Sequence, residues 1–118
     1  MTITKEKKYN ASILWYNLGV ELEESGRFED AIASYDKAIE LDPRDANTWC
    51  SRGNALASLN QFHAAIKSYN EAMRIEPGNS IALNNKANTL CKIGQALAKQ
   101  GKTKESKLYF QQSRKLFA

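Results

Sequence analysis

The sequence predicts an all-α fold, a stack of antiparallel helix pairs with about three pairs and six helices. Three observations lead there. The chain matches itself at an offset of 34 residues, each copy carries apolar residues at three- and four-residue steps, and glycine or proline stands where each helix has to stop.

At 118 residues the chain has the size of one ordinary domain. Hydrophobic residues make up 42% and charged residues 25%, and six Gly with two Pro are too few for a turn-rich all-β design. No stretch approaches the roughly 20 apolar residues of a membrane-spanning helix. The first residues, Met1 to Lys8, carry charge without a following apolar run, so no secretory signal is expected. Cys50 and Cys91 have neither CxxC nor paired spacing, which argues against a disulfide framework and a zinc site. A reducing cytoplasm is the expected location.

The net charge of +4 is unevenly distributed. Residues 12–79 hold six basic and eleven acidic residues, net −5, whereas residues 80–118 hold eight basic and one acidic, net +7. The first eleven residues add +2. Such a division fits either a charged partner, acidic where it meets the last helices, or a solvated surface with no partner.

Taken in order, the elements follow from the repeat. Shifting by 34 residues places Trp15 on Trp49, Gly19 on Gly53, Phe28 on Phe62, Ala31 on Ala65, Tyr35 on Tyr69, Ala38 on Ala72 and Pro43 on Pro77. The first helix carries Trp15, Leu18, Gly19 and Leu22 as an amphipathic stripe and ends at Ser25-Gly26, where glycine tolerates the left-handed turn. A second helix, Phe28 to about Leu41, presents Ala31, Ile32, Tyr35, Ala38 and Ile39 on one face, and Pro43 stops it. Asp45 and Asn79 occupy cap positions before the next helices. Gly19 and Ala31 are expected where paired helices approach closely, with Trp15 and Tyr35 filling the wider gaps. The resulting division is a basic lead-in (1–11), two regular units (12–45 and 46–79) and an irregular third unit (80–118).

Trp15-x-x-Leu18-Gly19-x-x-Leu22, Ala31-x-x-x-Tyr35 and Pro43 resemble the tetratricopeptide repeat. The resemblance is strong over residues 12–79 and loose beyond, and the second copy departs from it at Arg52, where the pattern has leucine. It implies a right-handed superhelical solenoid and a non-catalytic protein-interaction scaffold. In the third unit the 34-residue register lacks the glycine, but a seven-residue slip restores Leu90-x-x-Ile93-Gly94-x-x-Leu97, then Gly101 and Phe110. Seven residues are nearly two turns, so one long helix from Ser80 to about Gln100 is expected, followed by a basic helix from about Thr103 to Leu116. The alternative is a break at Gly94.

The family's first helices line a concave groove. By that resemblance Tyr16, Asn17, Asn47, Ser51 and Asn54 face a bound peptide, joined in the third unit by Asn84, Asn85, Asn88 and Lys92. Family members use groove asparagines to pair with the N–H and C=O of an extended peptide; the plain reading is that these are exposed polar residues. Chaperone-docking members grip a terminal carboxylate at five positions that here hold Tyr16, Val20 and Ser51, followed by Ile81 and Asn85, or by Asn88 and Lys92 in the slipped register; at most one of the five fits, so no carboxylate clamp for a chaperone tail is expected. The expected partner is a protein or peptide, acidic near the lysine-rich end.

Two further readings remain. The last helix carries Leu108, Phe110, Leu116 and Phe117, an apolar end through which copies of the chain would associate. The basic C-terminal third offers electrostatic binding of RNA or a membrane surface, without the aromatic–basic motifs that would favour nucleic acid. His63 stands alone, and no phosphate loop, metal spacing or acid–base pair appears, so no cofactor, metal or catalysis is expected.

Overall fold

A computed structural model describes residues 2–118. They form six helices in three consecutive hairpins: α1 (Lys5–Glu24) with α2 (Phe28–Leu41), α3 (Ala46–Ser58) with α4 (Phe62–Ile75), and α5 (Ser80–Lys99) with α6 (Thr103–Lys115). No strand occurs among the described residues. Each helix packs on its sequence neighbours, and the first helices of successive hairpins touch along one side, α1 on α3 and α3 on α5. That neighbour-only connectivity is a solenoid. Its extents are 56 × 30 × 20 Å and its radius of gyration 15.9 Å, against about 13–14 Å for a compact domain of this length. The helices do not close into a bundle.

The same stop signal ends α1, α3 and α5. Gly26 and Gly101 adopt φ of 77° and 78°, and Asn60 takes the equivalent place at 61°. In each case the following N–H (Arg27, Gln61, Lys102) bonds back to a leucine carbonyl (Leu22, Leu56, Leu97) at 2.8–2.9 Å, which satisfies the frayed helix end. Caps start the helices as the residue types require: the Asp45 carboxylate accepts from the Asn47 N–H at 3.0 Å, and the Asn79 side-chain oxygen from the Ala82 N–H at 2.9 Å.

Within each hairpin an aromatic ring fills the space a glycine leaves open. Tyr35 lies over Gly19, Tyr69 over Gly53 and Phe110 over Gly94, always sixteen residues downstream. A Cβ would stand 2.5 Å from the Tyr69 ring at Gly53 and 2.9 Å from the Phe110 ring at Gly94. Around these sockets Ala31, Ala55 and Ala65 are wholly buried.

The socket at Gly94 identifies the slipped register of the third hairpin, and α5 runs unbroken through it. Gly94 is the fifteenth residue of α5, as Gly19 is of α1, whereas Gly53 is the eighth of α3. The two extra turns are therefore shared by both outer hairpins. At the N-terminus they turn most of the expected lead-in into helix: α1 begins at Lys5, capped by Thr4, whose hydroxyl accepts from the Lys7 N–H at 3.2 Å. In α5 the added length is residues 80–86, which carry the wholly buried Ala82 into the core cluster with Ala46, Cys50 and Ala72.

Two expected packing roles differ in the structure. Trp49 is half-buried, with its indole N–H donating to the Pro43 carbonyl at 3.0 Å, but Trp15, against which no helix packs from the outer side among the described residues, stays 37% exposed. On α6, Phe110 is turned inward to its glycine socket and Leu116 is half-buried, leaving Leu108 and Phe117 exposed. Arg52, standing where leucine was anticipated, bonds to Asp36 of α2 at 2.7 Å and to Ser68 of α4 at 2.8 Å, so a polar bridge takes over an apolar contact.

Gly53→Ala should destabilise the fold by about 1–3 kcal/mol, because the Tyr69 ring has to move from a well-packed site. Gly78→Ala, with no atom within 4 Å of the added carbon, should be nearly neutral. Urea unfolding of the two variants checks the contrast.

Candidate functional site

The hydroxyls of the socket tyrosines carry the core's geometry to the side where α1, α3 and α5 meet. Tyr35 donates to Glu23 Oε1 at 2.7 Å, and Tyr69 donates to Asn54 Oδ1 at 2.7 Å. Burial away from water disfavours the phenolate: the Tyr69 hydroxyl is pushed up to about 12 and that of Tyr35 also lies well above the ordinary value, its Glu23 partner adding to the effect. Both are neutral donors at physiological pH. The Cys50 thiol, buried beside them in the core, is likewise pushed up to about 11, chiefly by desolvation. It behaves as a packing residue, not as a reactive thiolate.

Two links tie the first helices together across this face. Ser51 donates to the Tyr16 hydroxyl at 3.4 Å, joining α3 to α1, and the Asn85 amide donates to Asn54 Oδ1 at 3.0 Å, joining α5 to α3. Asn54 thus uses its carbonyl oxygen twice within the molecule. What it can still offer a ligand is its amide N–H, while Asn85 keeps its oxygen.

Of the sequence-predicted residues, Tyr16 and Ser51 come together, as do Asn54 and Asn85. Asn17, Asn47, Asn84, Asn88 and Lys92 are exposed and form no mutual side-chain hydrogen bonds.

Two hollows open on this face one repeat apart. The first, about 360 Å³, is lined by Tyr16, Val20, Glu23, Glu24, Phe28, Tyr35 and Ser51. The second, about 480 Å³, is lined by Asn60, Phe62, Lys92, Gln95, Ala96 and Lys99. Lys92 is the repeat equivalent of Ser51 and Phe62 of Phe28, so the two hollows share these two wall positions while the rest of their linings differ. Their charges are opposite. Two glutamates border the first, two lysines the second.

Sequence reasoning passed over Glu23, Glu24, Phe28 and Phe62 as site residues and read Lys99 only as one of the basic residues of the last two helices that would steer an acidic peptide. A signal was available: Glu24 and Lys99 occupy the same place in the last turn of their helices, two residues before Gly26 and Gly101. His63 is exposed, its ring 6.2 Å from that of Tyr109. Among the described residues no three His, Cys, Asp or Glu side chains gather in a metal-binding group, and no helix is long and apolar enough to cross a membrane.

Three family models match, described as TPR repeat over residues 19–59 and as tetratricopeptide repeat over residues 46–79 and 68–107. No curated protein sequence matches the chain significantly. Solved structures share the fold. The second TPR of Spaghetti (RPAP3), bound to the HSP90 peptide SRMEEVD, superposes with a TM-score of 0.67 at 23% identity, over 95% of this chain and 96% of that one. The Arabidopsis OM64 TPR domain gives 0.68 at 22%, over 92% and 98%. The N-terminal domain of stress-induced protein-1 from C. elegans gives 0.63 at 24%, over 93% and 87%.

Because the folded chain holds the Tyr69 and Cys50 protons more tightly than the unfolded one, stability is fully present below about pH 8.5–10 and declines as pH rises through the folded values. The slope should approach about 1.4 kcal/mol per pH unit for each group in its window. Urea unfolding at pH 9 and pH 11 should show the decline, and Tyr69→Phe should make it shallower.

Proposed function

The chain belongs to the tetratricopeptide-repeat family, and on that premise we propose that it is a non-catalytic scaffold holding an extended segment of a partner protein along the face formed by α1, α3 and α5. One observation carries this reading: two hollows one repeat apart, walled by the repeat-equivalent Phe28 and Phe62 and bordered by glutamates at one end and lysines at the other. An extended chain is the ligand that reaches both. Asn54 and Asn85, already aligned by their mutual hydrogen bond, stand between the hollows with one amide and one carbonyl free for peptide main chain.

The charge arrangement sets the partner's chemistry. The segment carries acidic residues where it passes Lys92 and Lys99 and a basic residue where it passes Glu23 and Glu24. Opposed charges at the two ends also fix the direction in which the segment lies, since reversal would bring like charges together. A relative in this family has been seen with a chaperone peptide. Here Tyr16, Val20 and Ser51 occupy the places where a clamp for a terminal carboxylate would need cations and amides, so acidic side chains within the segment, not a chain terminus, are what the lysines read.

Selection from a random-peptide display library should return sequences with acidic residues on one side of an apolar centre and basic residues on the other. Lys92→Glu with Lys99→Glu should weaken a selected peptide about tenfold or more by fluorescence anisotropy, an effect of about 1.4 kcal/mol. Both lysines are exposed, so the fold is spared. Unchanged affinity, or a library that yields no charge pattern, contradicts the proposal.

A further inference from the structure

Every hairpin of this array offers the outer face of its first helix to the hairpin before it. In the second and third hairpins that face is covered. Thr48 and Thr89 are 1% and 3% exposed, Leu90 and Ile93 are buried, and Arg52 reaches back to Asp36 of α2. The equivalent residues of α1 are Leu14, Trp15 and Leu18, and among the described residues they are left open: Leu14 is 70% exposed and Leu18 40%. The face is also more apolar than its covered counterparts, since leucine replaces Thr48, Thr89 and Arg52. It lies away from the peptide face, on the opposite side of α1 from Tyr16 and Val20.

We infer that this surface is a self-association site, where α1 packs antiparallel against α1 of a second copy about a two-fold axis. The occupant follows from two observations. The far end of the array does not fit it: α2 and α4 present half-buried Ile32 and Ile39, and Ile66 and Met73, at positions where α6 holds Lys107 and Arg114, both exposed. Head-to-tail stacking would place lysine and arginine on leucine. Alpha-1 itself does fit. Along this face its first turns carry Lys7, flanked by Lys8, and its last turns carry Glu21, while Glu23 and Glu24 border the first hollow on the peptide side. An antiparallel pair sets the basic end of each helix on the acidic end of the other, around a centre of Leu14 and Leu18. A parallel pair would oppose like charges at both ends.

The inference is independent of the peptide reading and is tested by sedimentation velocity over a micromolar concentration series. The chain should equilibrate between monomer and dimer. Leu14→Glu with Leu18→Glu should leave only monomer with unchanged helical circular dichroism, while Leu108→Glu with Phe117→Glu should not alter the equilibrium. Lys7→Glu with Lys8→Glu in one variant, and Glu21→Lys in another, should each weaken self-association about five- to tenfold, and mixing the two variants should restore pairing, now between unlike chains. A wild-type chain that stays monomeric throughout, a dimer that survives the Leu14 and Leu18 substitutions, or a mixture that pairs no better than its parts would overturn the inference.

Discussion

The seating of an aromatic ring on a bare glycine governs this molecule. Because Gly19, Gly53 and Gly94 carry no side chain, the helices of each hairpin come close enough for a ring from the second helix to lie against the backbone of the first. That contact fixes the separation, rotation and register of the pair in a single stroke. Close packing makes it intolerant, since even one added carbon would fall well inside ordinary van der Waals distance. The stacking of one hairpin on the next then depends on where these rigid pairs present their remaining faces.

The same ring connects core to surface. In the first two hairpins it is a tyrosine, and its hydroxyl emerges on the face where the first helices meet, holding Glu23 in one case and Asn54 in the other. The side chains that define the candidate peptide site are thereby positioned by the residue that sets the packing. In the third hairpin the ring is Phe110, which has no hydroxyl, and the neighbouring surface is instead furnished by long lysine side chains that need no such support. The change from glutamate to lysine along the face accompanies this change from held to unheld side chains.

The two added turns of α1 and α5 show how a repeat can be lengthened without losing its contacts. Seven residues rotate a helix face only slightly, so the extension continues the stripe that already faces its neighbour. In α5 it carries Ala82 into the core beside Ala46 and Ala72 of the second hairpin. In α1 it carries lysines at one end of an apolar seam whose other end is acidic. An outward surface of that kind is absent from α3, the shorter helix between two neighbours.

The amino-acid pattern alone determined the helix pairs, their caps and stops, and the glycine–aromatic spacing, because each depends on residues close in sequence or repeated at a constant interval. Even the irregular third hairpin was readable, since Gly94 and Phe110 keep the sixteen-residue spacing of Gly19 and Tyr35. Tertiary structure decided which side chains remain available. Asn54 looked free in one dimension but is engaged by Tyr69 and Asn85; Phe110 looked like an apolar end but is enclosed; Trp15 and Trp49 are identical in the pattern and differ in burial. Periodicity specifies the face on which a residue sits, whereas exposure and hydrogen-bond satisfaction depend on whether another helix happens to lie against that face, and only the assembled stack settles that.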